Sequence, residues 1–77
     1  FSIDDTAGLL GSVEEKYKKK ALEIDREDGL SMFFETWRFN LRGSNTEPLV
    51  RLNVETLGDG ELLTQKLTEL THYLENF

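Results

Sequence analysis

Residues 37–54 read Trp37-Arg38-Phe39-Asn40-Leu41-Arg42-Gly43-Ser44-Asn45-Thr46-Glu47-Pro48-Leu49-Val50-Arg51-Leu52-Asn53-Val54. Two runs that alternate apolar and polar residues, Trp37 to Leu41 and Leu49 to Val54, flank a polar segment. Alternation of period two marks a half-buried strand. The stretch therefore predicts two antiparallel strands of one sheet, joined by residues 42–48. Trp37, Phe39 and Leu41 point to one face, and Arg38, Asn40 and Arg42 to the other. Across the loop, Val50, Leu52 and Val54 face the core while Arg51, Asn53 and Glu55 face away. Pro48 stands at the loop's exit, where a missing backbone donor harms the ladder least.

The loop is longer than a hairpin needs, since two residues would close it. It also gathers what an oxyanion requires: the Arg42 guanidinium, the Ser44 and Thr46 hydroxyls, the Asn45 amide, and Gly43, which lets neighbouring N–H groups converge. That set points to a site for a phosphate monoester. A plainer reading fits the same residues, a polar hairpin loop whose Ser, Asn and Thr satisfy their own backbone. The residue types leave both open.

Working outward, Leu30 to Phe34 is a further strand with Leu30, Met32 and Phe34 on one face. Glu35-Thr36 would be a two-residue reversal, although neither residue welcomes a positive φ. Leu22-Glu23-Ile24-Asp25 alternates as well, and Arg26-Glu27-Asp28-Gly29 reads as a turn. The acidic run there lacks the ligand spacing of a twelve-residue calcium loop. Upstream, Leu9, Val13 and Tyr17 form one helical stripe. Asp4 or Asp5 can cap a helix starting near Thr6, while Ser12 with Glu15 offers a competing capping box. Gly8 and Gly11 each cost about 1 kcal/mol inside a helix, yet the stripe favours the longer one. Phe1-Ser2-Ile3 alternates and predicts an edge strand. Beyond the central strands, Leu57 to Gly60 breaks the pattern and Asp59 can cap a helix from Glu61 to about Glu75. Leu63, Leu67, Leu70 and Leu74 form its stripe, with Leu62 and Tyr73 beside it. His72, on the flank, has no second ligand or nucleophile nearby in sequence and reads as structural. The elements condense to β-α-β-β-β-α: an α+β, two-layer sandwich with an antiparallel sheet of about four strands and both helices on one face.

Seventy-seven residues make a single domain, 1–77, with a modest core. The chain has no cysteine, so no disulfide or thiolate site forms and a reducing cytoplasm suits it. No apolar run approaches a membrane span, so no membrane partner is expected. A net charge of −6 argues against nucleic acid, whose binding draws on Lys and Arg meeting phosphates. A local positive site remains open at Arg38, Arg42 and Arg51. Lys16, Lys18, Lys19 and Lys20 fall late in the first helix, where they complement its dipole as a solvated face. The chain opens on Phe1, not Met, which points to a piece of a longer protein.

The run from Trp37 to Glu55 resembles the C-terminal domain of bacterial phosphomannomutases, members of the α-D-phosphohexomutase superfamily with phosphoglucomutase and phosphoglucosamine mutase. Asp28-Gly29-Leu30-Ser31 and the trailing amphipathic helix match too, so the likeness covers most of the chain. Asn45 is similar to the phosphomannomutase branch, whereas Gly is typical of many of the others. The resemblance implies a fourth and last domain with a fold like the TATA-binding protein's, whose loop grips the phosphate of the bound sugar. By position, Arg42, Gly43, Ser44, Asn45 and Thr46 would form that grip, with Glu47 and Pro48 shaping the loop. Gly43 departs from the Ala, Ser or Pro often seen there. The implied reaction interconverts mannose 6-phosphate and mannose 1-phosphate. The same role in a phosphoglucomutase or dual-specificity enzyme is the near alternative, and a free-standing αβ interaction or regulatory module the distant one. The partners implied are a phosphosugar and the other domains of the parent chain. The phosphorylated serine and a magnesium loop would lie in those domains. Magnesium would thus belong to the full-length enzyme, with no cofactor in this domain and no phosphoryl transfer by it alone.

Overall fold

The structure, a computed structural model, describes residues 5–44 and 49–77. Helix α1 (Thr6–Tyr17) precedes strands β1 (Glu23–Asp25), β2 (Leu30–Phe33), β3 (Trp37–Gly43) and β4 (Val50–Thr56), and helix α2 (Gly60–Glu75) ends the chain. The strands lie in sequence order, each antiparallel to its neighbour. The α+β class and the four-stranded sheet are as the alternation predicted. The order differs in one respect: four strands, not three, lie between the helices, because every alternating run from Glu23 onward joins the sheet. The strand expected at Phe1–Ile3 lies outside the described residues.

Local chemistry explains the boundaries. Asp5 caps α1, its Oδ1 accepting the Gly8 N–H at 2.9 Å, which settles the start near Thr6. A Cβ on Gly8 would fall 2.3 Å from the Asp5 carboxylate, so the glycine makes room for the cap. Ser12 does not cap; its hydroxyl hydrogen-bonds the Tyr73 hydroxyl and ties the two helices together. Glu35-Thr36 does reverse the chain in two residues, with Phe34 N–H donating to Trp37 C=O at 2.8 Å. No described non-glycine residue has a positive φ, so the reversal avoids the primed turns that two-residue hairpins favour. Asp59 caps α2 through the Leu62 N–H at 3.0 Å.

Both helices cover one face of the sheet. Leu9, Val13 and Tyr17 of α1 pack with Met32, Phe39 and Leu41 of the strands and with Leu70 and Leu74 of α2 in one buried cluster. Tyr17 meets Phe34, Trp37 and Phe39 edge-on, with centroids 6.0, 5.8 and 5.6 Å away, and Phe34 stacks on Trp37 at 4.2 Å. Such pairs add to the gain from buried area.

The buried face of α2 is not the all-leucine stripe. Leu67 is 42% exposed, and Leu62, Lys66, Leu70, Tyr73 and Leu74 form the inward face instead. Lys66 lays its ammonium 4.9 Å from the Trp37 ring centroid, which lets a long cationic side chain cover an aromatic edge. One turn on, the Tyr17 hydroxyl donates to Glu69 Oε1 at 2.7 Å. These two polar anchors rotate the helix away from the Leu63–Leu67 line. Burial and the Glu69 contact push the Tyr17 phenol upward. Burial opposes the Glu69 charge, but the Tyr17 hydroxyl and the Lys66 ammonium outweigh it and hold that carboxyl below its ordinary range. Among the described residues no helix is long and apolar enough to cross a membrane.

Candidate functional site

The β3–β4 ladder runs from Trp37↔Thr56 to Gly43↔Val50. One further bond, Ser44 N–H to Leu49 C=O at 2.9 Å, closes the base of the polar loop. Arg42, Gly43 and Ser44 stand on the described arm of that loop. Asn45, Thr46, Glu47 and Pro48 lie outside the described residues.

Register sets the electrostatics of the outer sheet face. Arg38 opposes Glu55, Asn40 opposes Asn53, and Arg42 opposes Arg51. The first pair attracts, with Arg38 Nε 3.7 Å from Glu55 Oε2. The last places two guanidinium-bearing side chains directly across from each other beside the loop, a repulsive arrangement unless an anion offsets it. Asp28 supplies one anion: Arg42 Nη1 donates to its Oδ2 at 3.1 Å. Asn40 Nδ2 donates both to the Asp28 carbonyl at 3.0 Å and to Ser31 Oγ at 2.9 Å. The Asp28-Gly29 turn is thereby strapped to β3.

These residues surround an open cleft of about 730 Å³, lined by Thr6, Glu27, Asp28, Gly29, Arg42, Gly43, Ser44 and Arg51. Thr6, at the start of α1, closes one side. A Cβ on Gly43 would lie 2.7 Å from Thr6 Cγ2, so glycine at 43 lets the helix start seat against the loop's arm. The sequence singled out Arg42, Gly43, Ser44 and, as a local positive residue, Arg51. Asp28 entered only in a turn and in the run 28–31 that carries the resemblance, and Thr6 only as a helix start; what joins both to the loop is tertiary, since neither adjoins it in sequence. Lys16 lies over the Tyr17 and Tyr73 rings at 5.6 and 5.4 Å, and Lys18 pairs with Glu15 at 2.9 Å. His72 is exposed on the last turn of α2, its Nδ1 3.5 Å from the Asn76 amide. Among the described residues no three His, Asp or Glu side chains converge as a metal centre would need.

Residues 3–71 match the family described as phosphoglucomutase/phosphomannomutase, C-terminal domain. The chain belongs to that family. Among phosphohexomutase relatives, it is 47% identical over 96% of its length to a protein named phosphohexose mutases from Xanthomonas campestris pv. campestris (strain B100). It is likewise 47% identical over 96% of its length to a phosphomannomutase of Salmonella montevideo. A phosphomannomutase of Escherichia coli (strain K12) is 52% identical over 79% of the chain. The matched regions are 16%, 16% and 13% of those relatives, respectively, so the chain spans about a sixth of the proteins it matches.

Proposed function

We propose that this C-terminal domain supplies the substrate-phosphate grip of a phosphohexomutase, with Arg42, Ser44, Asn45 and Thr46 contacting the phosphate and Gly43 keeping backbone donors accessible. The observation that carries the reading is the Arg42–Arg51 juxtaposition at the mouth of the loop, opening on a polar cleft. An interaction module gains nothing from opposing two cations beside a Ser-Asn-Thr loop; a dianion binder gains its counter-charge. Guanidinium and hydroxyl donors recognise charge and tetrahedral shape more than the sugar. A mutase needs that, because one phosphosugar must bind in two orientations so that each end reaches the phosphoryl donor. Holding the phosphate that is not reacting leaves the other end free to exchange. A terminal domain that carries the grip can close over substrate and exclude water. The reacting groups and magnesium are assigned to the rest of the parent chain, and this domain alone transfers no phosphoryl group.

The substrate pair we favour is mannose 6-phosphate and mannose 1-phosphate, on the strength of Asn45 and of the relatives named phosphomannomutase. Glucose phosphates are the second reading, favoured by the family's double description. A cytoplasmic location accords with either.

Titrating ¹⁵N-labelled chain with inorganic phosphate and with mannose 1-phosphate tests the grip. Amide shifts should centre on residues 42–46 and saturate. Arg42→Ala should weaken binding at least about tenfold, since a hydrogen bond to a charged group contributes about 1.5–3 kcal/mol. Shifts that are absent, or scattered away from the loop, overturn the reading.

A further inference from the structure

We infer that Asp28 is a positioning residue for Arg42, holding the guanidinium over the cleft before any anion arrives; this rests on the phosphate-grip reading above. The two residues belong to different segments, the turn before β2 and the last part of β3, and meet in one N–H···O contact of 3.1 Å. Their side chains are 73% and 48% exposed. An ion pair this wet contributes little to folding, so stability does not account for the way the turn is built around it.

That turn is fixed on the strand that carries Arg42. The Asp28 carbonyl takes the Asn40 amide at 3.0 Å, and the same amide reaches Ser31 Oγ at 2.9 Å. Gly29 adopts φ +76°, and a Cβ there would lie 2.5 Å from Leu41 O and 2.9 Å from Arg42 Cα. Backbone is pressed on backbone, which fixes the point from which the Asp28 carboxylate reaches toward β3. A short side chain on an anchored backbone then faces a long one rich in rotamers. Ordering such a side chain at the moment of binding is costly, and a residue that orders it beforehand lowers that cost. The contact engages one of five guanidinium N–H groups, so the remaining fork keeps the geometry for a two-point contact with an oxyanion.

Charge and position make opposite predictions. A carboxylate lining an anion site repels the ligand, so if Asp28 acted through its charge, removing it would tighten binding. If it acts by position, removing it loosens binding, and an uncharged acceptor of the same shape restores it. Asp28→Ala and Asp28→Asn separate the two, and the position they share is solvent-exposed, with the backbone carbonyl kept. In the ligand-free chain the Arg42 Nε–Hε signal reports the order of the side chain. It should be sharp and restrained in the wild type and in Asp28→Asn, and averaged in Asp28→Ala. Inorganic phosphate should bind Asp28→Ala about two- to tenfold more weakly than the wild type, and Asp28→Asn within about twofold of it. An Arg42 signal unchanged in Asp28→Ala overturns the inference, as does phosphate binding that is unchanged or tighter in both variants. If phosphate shifts nothing near the loop in the wild type, the grip reading falls by itself, and the Arg42 signal still decides the role of Asp28.

Discussion

Gly29 shows how much one position can carry. Its φ of +76° and the 2.5 Å approach to Leu41 O forbid a side chain on two counts, backbone strain and overlap with atoms that cannot move aside. Gly29→Ala should lower unfolding free energy by more than about 2 kcal/mol in urea titrations. Gly11→Ala is the contrasting case. That glycine lies in α1 with nothing within 4 Å of its missing Cβ, so alanine should stabilise by about 0.5–1 kcal/mol. At this scale the sequence was half legible. The structure places Arg42, Gly43 and Ser44 on the lining of one cleft, and all three drew notice by composition alone, because donor chemistry is local. Asp28 did not, because its meaning depends on the turn folding back onto β3. No spacing rule joins residues 28 and 42 until the β2–β3 register is known.

At the scale of elements, strand alternation was the most dependable guide. Trp37, Phe39 and Leu41 are buried in the order expected, and Val50 with them. Helix α2 was harder, since two stripes share Leu70 and Leu74 and differ only in Leu63–Leu67 against Leu62–Lys66. A leucine count prefers the first; Trp37 and Tyr17, waiting on the sheet and on α1, select the second. Leu70→Ala should therefore cost about 2–5 kcal/mol by chemical denaturation, as a fully enclosed leucine does. Leu67→Ala should cost less than about 1 kcal/mol. Equal losses at the two positions would restore the all-leucine face.

Across the whole molecule, acid tolerance depends on carboxylates that bridge segments distant in sequence. Glu14 accepts a two-point contact from Arg26 at 2.8 and 2.7 Å, joining α1 to the chain beyond β1. That hydrogen-bonded guanidinium holds the Glu14 carboxyl below its ordinary value of 4.5, and Glu69, which joins α2 to Tyr17, is likewise depressed. Both groups bind protons more readily in the unfolded chain than in the folded one. Their contribution is therefore full above pH 4.5 and fades as pH falls through and below that value. Thermal melts across that range should show Glu69→Gln with a shallower loss of stability on acidification than the wild type. An unchanged slope would mean that the Tyr17–Glu69 bond does not persist in solution.

Thr6 touches the missing side of Gly43 while Asp5 caps the same helix. The first turn of α1 thus stands at the rim of the cleft. Any strain carried along α1 therefore meets the described arm of the β3–β4 loop where Thr6 faces Gly43. In mechanical terms α1 is a lever arm with its fulcrum at the rim of the cleft.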